Sequence, residues 1–141
     1  MTRDDFVLAV MSAAGTGALA PVQVQKMFFI LDEEVLKSPC FDFKPYDYGP
    51  FDPAVYQTIE GLADKGLAKT DFAGKYQYRT YALTSDGLES GREQFELLPD
   101  WVQEFIADLV DWIKPLSFGE IVAYIYEHYP TMRVNSVFQS E

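Results

Sequence analysis

The sequence predicts a mainly helical α+β chain, with three helices feeding a β-hairpin and further helices after it. Three observations carry that expectation. Apolar residues recur at helical spacing up to Gly66. The period then drops to two over a stretch rich in β-formers. Helical spacing returns behind Thr84 and again behind Ser117, two residue types that cap helices.

The first helix is expected over residues 4–14, where Phe6, Val7, Val10, Met11 and Ala14 repeat every three or four positions. Gly15-Thr16-Gly17 ends it. Pro21 suits the first turn of the second helix, where a missing N–H costs nothing. Val24, Met27, Phe28 and Leu31 form its apolar face, with Lys26 and Asp32-Glu33-Glu34 mainly on other faces, and Ser38-Pro39 breaks it. Residues 41–50 are dense in aromatics and turn formers and read as a structured loop with at most a short extended piece. Asp52-Pro53 starts the third helix, an N-cap carboxylate followed by proline. Val55, Ile59, Leu62 and Ala63 line it, and Gly66 stops it. Residues 67–70 are expected as one strand, 71–75 as the turn and 76–83 as the second strand. Thr84 caps a fourth helix to about Glu96, with Gly87 a weak point. A fifth spans about 99–113, with Val102, Phe105, Ile106, Leu109, Trp112 and Ile113 on one face. Ser117-Phe118-Gly119-Glu120 is a capping-box pattern opening a sixth helix to about Tyr129, which Pro130 ends. Val134, Val137 and Phe138 suggest a tail that packs back.

Helix-turn-helix followed by a hairpin is the order of a winged helix. Lys65-Gly66-Leu67 takes the third helix straight into a strand. Leu83-Thr84 lets a strand end with its leucine inward and its threonine capping the next helix. Residues 1–98 are therefore expected as a winged-helix-like domain, and 99–141 as a helical extension packed on it as one structural unit.

The 141 residues make one domain by length, and 48% hydrophobic with 16% aromatic content is ample for a core. The net charge of −11 opposes general attraction to phosphate backbones and anionic membranes. A single cysteine, Cys40, excludes an internal disulfide and fits a reducing cytoplasm. Its nearest basic neighbours in sequence are Lys37 and Lys44, so it reads as a small core residue. Acids follow the first basic residue, and no secretory signal or membrane span is expected.

Gln25-Lys26-Met27-Phe28-Phe29-Ile30, Tyr48-Gly49-Pro50-Phe51, Val55-Tyr56 and residues 62–67 resemble the Panacea (SocA-like antitoxin) and YwgA-like group of small prokaryotic proteins. The pattern covers about residues 5–90. Ile125-Tyr126-Glu127-His128-Tyr129-Pro130 with Asn135-Ser136-Val137-Phe138 is closer to the YwgA side. The resemblance implies a winged-helix-like fold, no enzymatic activity and no cofactor. On the Panacea side it also implies neutralising a toxin or serving as an adaptor by protein contact.

Three sets of residues are candidates for function. Asp86, Glu89, Glu93, Glu96, Asp100, Glu104, Asp108 and Asp111 oppose only Arg92, a net of −7. Asp100, Glu104, Asp108 and Asp111 share one helix face, which is a solvated face, a docking surface for a basic protein (a toxin, a protease-adaptor target or another) or an imitation of a nucleic-acid backbone. Tyr46, Tyr48, Gly49, Pro50 and Tyr56 with Lys26 either line a shallow pocket or plug the core. For DNA, the alternative partner, Gln57, Lys65, Lys69, Lys75 and Arg79 would make the contacts. Asp52, Glu60 and Asp64 oppose Lys65, however, a net of −2 over the recognition helix, while the hairpin carries a net of +2. Trp101, Phe105 and Trp112 offer a seam for a homodimer. No catalytic or metal constellation is expected. His128 is the lone histidine and Gly15-Thr16-Gly17 lacks the third glycine of a nucleotide loop.

Overall fold

The computed structural model describes residues 1–36 and 38–138. Lys37, near Cys40 in sequence, and positions 139–141 of the expected extension lie outside them. The elements are α1 (Arg3–Ser12), α2 (Pro21–Glu34), β1 (Lys44–Tyr46), β2 (Gly49–Phe51), α3 (Ala54–Asp64), β3 (Ala68–Ala73), β4 (Tyr78–Leu83), α4 (Ser85–Glu96), α5 (Asp100–Ile113) and α6 (Phe118–His128), then a 3-10 turn at Pro130–Arg133. The fold is α+β, with two antiparallel hairpins, β1–β2 and β3–β4.

The helix starts are made by the residues that the sequence marks. Thr2 and Asp5 form a reciprocal capping box on α1, as Ser117 and Glu120 do on α6. One of those bonds, from the Ser117 N–H to the Glu120 carboxylate at 2.9 Å, together with the Ser117 hydroxyl, holds the Glu120 carboxyl below its ordinary range. Thr84 accepts the Gly87 N–H at 3.1 Å and donates to the Gly66 carbonyl at 2.7 Å, while Leu83 is fully buried. One residue thus joins the end of α3, the end of β4 and the start of α4. Asp52 caps α3 through the Ala54 N–H at 2.9 Å.

α2 is the central element. It touches α3, α5, α6, β2 and β4, and every residue from Val24 to Asp32 is buried. This corrects the expectation of a single apolar face: Lys26 and Asp32 are inside. A helix enclosed on all sides has no wet face for its middle turns. Polar side chains there must find partners in the protein, and they do. Asp32 accepts the N–H groups of Cys40 and Phe41, each at 3.0 Å. Gln25 brackets Asp52, accepting its N–H at 3.0 Å and donating to its carbonyl at 2.9 Å. Lys26 donates to the Pro50 carbonyl at 3.0 Å.

Those bonds order the stretch expected as a loop into β1–β2, with Tyr46 paired to Gly49 across Asp47-Tyr48. In the second hairpin β3 runs on to Ala73, so Asp71 and Phe72 pair with Thr80 and Arg79. The turn is Gly74 to Gln77, not residues 71–75, and Tyr76 and Gln77 leave the strand. Gly74 has φ +75°, and Gln77 tolerates φ 52° there. Leu19 ties the approach to α2 onto β4 through two backbone bonds with Tyr81, 2.8 and 3.0 Å.

One hydrophobic cluster runs from Phe6 on α1 to Tyr126 on α6 and includes Val102, Ile106, Leu109, Val110 and Ile113 of α5. The tail packs back through Phe138, while Val134 and Val137 stay exposed. α4 is closely approached at two glycines, Gly87 by Leu67 between α3 and β3 and Gly91 by Leu8 of α1. A Cβ on Gly87 would sit 1.7 Å from the Leu67 carbonyl oxygen, and one on Gly91 would sit 2.4 Å from that of Leu8. Gly87, read from sequence as a weak point, is where the backbones must approach. Gly91→Ala is expected to destabilise the fold by about 1–3 kcal/mol in urea unfolding. Gly61→Ala, with open space around it on α3, should be neutral or stabilising by up to ~1 kcal/mol.

Candidate functional site

The aromatic residues of β1–β2 gather where α2, α3 and α6 meet. Tyr46, Tyr48, Gly49, Tyr56 and Lys26 line one cleft of about 310 Å³ with Pro21, Val22, Gln25, Asp47, Phe51 and Phe118. Pro50 is buried and is not among the lining residues, and its carbonyl accepts from Lys26. The rings interlock edge to face: Tyr46 on Phe51 at 5.4 Å, Phe51 on Tyr56 at 5.8 Å and Tyr48 on Phe118 at 5.1 Å. Tyr56 stacks on Tyr81 at 5.2 Å. Gly49 carries φ +99°, and a Cβ there would press within 3.3 Å of the Tyr126 ring. The tail closes the back of the hairpin, with Val137 N–H on the Asp47 carbonyl at 2.9 Å and Asn135 on the Pro45 carbonyl at 2.9 Å.

The sequence names five of the lining residues. It does not name Phe118, which α6 delivers from far along the chain, nor Gln25 and Val22, which have no pattern of their own. A second groove of about 670 Å³ adjoins the first, sharing Pro21, Val22 and Phe118, and reaches Tyr78 and Thr80 on β4.

Lys26 dominates the chemistry of the cleft. It is 4% exposed. Among the described residues the ion pairs are Lys44–Asp42 and Lys65–Asp4, both at 3.2 Å, so no carboxylate neutralises it. Burial lowers its pKa to about 8. Burial, with Tyr81 beside it, pushes the Tyr56 phenol up to about 12, against a hydrogen bond from Gln25. Tyr56 therefore stays a neutral donor.

The other candidates are placed differently. Asp100, Glu104, Asp108 and Asp111 are exposed along α5, and Asp86, Glu89, Glu93 and Glu96 along α4. None of the eight has an ion-pair partner among the described residues. Leu97 and Trp101, between the two stripes, are 72% and 56% exposed. Trp112 packs on Tyr124 at 4.5 Å, and Phe105 is half-buried. The basic residues are not brought onto one face. Lys65 is tied to Asp4. Arg79 lies over Phe72, 4.8 Å from the ring centroid, and donates to Thr70 at 3.0 Å. Lys69 pairs across with Ala82, on the opposite side of the hairpin. Lys75 sits in the turn, and Gln57 is exposed on α3.

No protein-family model matches this chain, and no curated protein does.

Cys40 is half-buried, and burial and then Asp32 raise its thiol pKa, leaving it a poor nucleophile. His128 stacks on Tyr124, with Nδ1 3.0 Å from the Tyr124 carbonyl. Among the described residues no group of three His, Cys, Asp or Glu side chains is close enough to hold a metal ion, and no helix is long and apolar enough to cross a membrane.

The lowered Lys26 pKa has a signed effect on stability. Between about pH 8 and 10.5 the unfolded chain holds this proton and the folded chain does not. Stability at this site therefore rises with pH across that window and is lowest below it. Lys26→Met removes the titration. The unfolding free energy of the native chain relative to this variant should rise by about 3 kcal/mol between pH 7 and pH 10.5. Parallel urea melts measure it, and identical pH profiles would contradict a buried, titrating amine.

Proposed function

We propose that this chain is a non-enzymatic, cytoplasmic protein-interaction module with a winged-helix-like core, antitoxin- or adaptor-like, that docks a basic protein through α4 and α5. The observation that carries it is the pair of uncompensated acidic stripes flanking exposed Leu97 and Trp101. Like charges at four-residue spacing each cost a few tenths of a kcal/mol in the free protein. A cationic partner reverses that cost and speeds encounter. Apolar anchors inside a charged rim are the usual composition of an interaction surface, with tryptophan prominent among residues that dominate binding energy. The resemblance to the Panacea and YwgA-like group agrees with this reading, and a toxin or a protease-adaptor target fits the required basic partner.

A second reading, a winged-helix regulator binding DNA as a dimer, is favoured by one observation. Lys69, Lys75 and Arg79 share the β3–β4 hairpin with exposed Phe72, Tyr76 and Tyr78. Against it stands α3, where Glu60 and Asp64 are exposed and Lys65 is paired. Such a helix would meet a duplex with net repulsion.

Two measurements separate the readings. Co-expression with a small basic or toxic neighbouring reading frame should give a complex that Glu104→Lys with Asp108→Lys weakens at least about tenfold and Trp101→Ala by about 2 kcal/mol or more. A mobility-shift titration against random duplex at physiological salt should show no binding. A shift that falls steeply with salt, indifferent to the α5 reversals, would favour the regulator instead.

A further inference from the structure

The Lys26 cleft lacks one thing that its own chemistry calls for. An ammonium group has three N–H donors, and Lys26 has one acceptor, the Pro50 carbonyl. It is buried, and no carboxylate among the described residues pairs with it. Withdrawing a cation from water without a counter-charge is among the costlier arrangements in a fold. Yet Lys26 is among the residues that line an open cleft. Half of the other lining residues are aromatic, and the volume of about 310 Å³ is at the small end of what ligand sites use. Gly49 borders the Lys26 side chain: a Cβ there would press on the Tyr126 ring at 3.3 Å and make ordinary contact with Lys26 Cε at 3.8 Å.

We propose that this cleft binds a small aromatic monocarboxylate, its carboxylate paired with the Lys26 ammonium and its ring held among Tyr46, Tyr48, Phe51, Tyr56 and Phe118. The anion supplies the missing counter-charge. The aromatic walls offer ring edges and faces to a flat apolar body. A charge-assisted bond flanked by aromatic walls is stronger than one at a fully exposed surface. The site is independent of the acidic stripes on α4 and α5, so it stands whether or not a basic protein docks there. The titratable groups that face the amine are Asp47 at the rim of the hairpin, the phenols of Tyr46, Tyr48 and Tyr56, and Tyr126 from α6. Asp52 is turned away, its carboxylate taken by the N–H groups of Asp42 and Ala54. Asp47 alone opposes an incoming anion at the mouth of the cleft.

The test uses the whole chain and isothermal titration calorimetry with 3-phenylpropanoate, indole-3-acetate and their primary amides. The acids are expected to bind one per chain and at least about tenfold more tightly than the amides. Affinity for the acids should fall about tenfold or more from pH 7 to pH 9.5 as the amine deprotonates, while the amides stay flat. Lys26→Gln should abolish the preference for acid over amide. Phe118→Ala should weaken both classes and leave the preference intact. Should Lys26→Gln fail to fold by circular dichroism, Asp47→Asn decides: it should tighten the acids about twofold and leave the amides unchanged. Equal affinity for acid and amide, no binding of either acid at millimolar concentration, or an acid preference that survives in folded Lys26→Gln would each overturn the proposal.

Discussion

Three polar side chains on one buried helix hold the rest in place. Gln25, Lys26 and Asp32 reach outward from α2 and take up backbone groups of residues 40–52. Buried backbone N–H and C=O groups must be paired, and a stretch with two prolines and a glycine cannot pair all of its own. The side chains of α2 do it instead. No buried side-chain polar atom among the described residues lacks a partner. The arrangement sets the β1–β2 hairpin against the helix, which in turn presents Tyr46 and Tyr48 to the cleft and Asp52 to the start of α3. Breaking any of these bonds would leave a buried group unsatisfied, a cost of roughly 1–3 kcal/mol.

Lys26 differs from its two neighbours in what it gains. Gln25 and Asp32 each hold two backbone groups. Lys26 holds one and opens on the cleft. A fold that needed only to anchor the Pro50 carbonyl could use a neutral donor. A cation there sets a positive charge among the aromatic side chains of the cleft, within a molecule of net charge −11. Eight acids are spread along α4 and α5, and Lys69, Lys75 and Arg79 lie on the β3–β4 hairpin beside exposed rings. The acidic stripes and the Lys26 cleft sit on different elements.

Periodicity was legible because solvent imprints it. Helices α3, α5 and α6 each have a wet side, so their apolar residues mark the inner face and their caps mark the ends. α2 has no wet side over its middle turns, and its pattern misleads: Lys26 and Asp32 look like surface residues and are core. The β1–β2 hairpin is invisible for a related reason. Its strands are three residues each, too short to show alternation, and its pairing depends on bonds from a helix some twenty residues earlier. The turn of the second hairpin moved because Phe72 pairs with Arg79 across the strands, a contact that extends β3 past the polar residue that looked like its end.

By itself the sequence determined the order and type of the helices, the capping residues, the hairpin after Gly66 and the acidity of α4 and α5. These are local matters, decided by spacing within a turn or two and by the conformational preferences of Thr, Ser, Pro and Gly. Tertiary structure alone decided that α2 is enclosed, that Gly87 and Gly91 are points of backbone contact and that Phe118 completes a cleft begun by Lys26 and Tyr46. Each of those depends on residues far apart in the chain meeting across a core, and burial at such a meeting is a property of what surrounds a side chain, which no local pattern encodes.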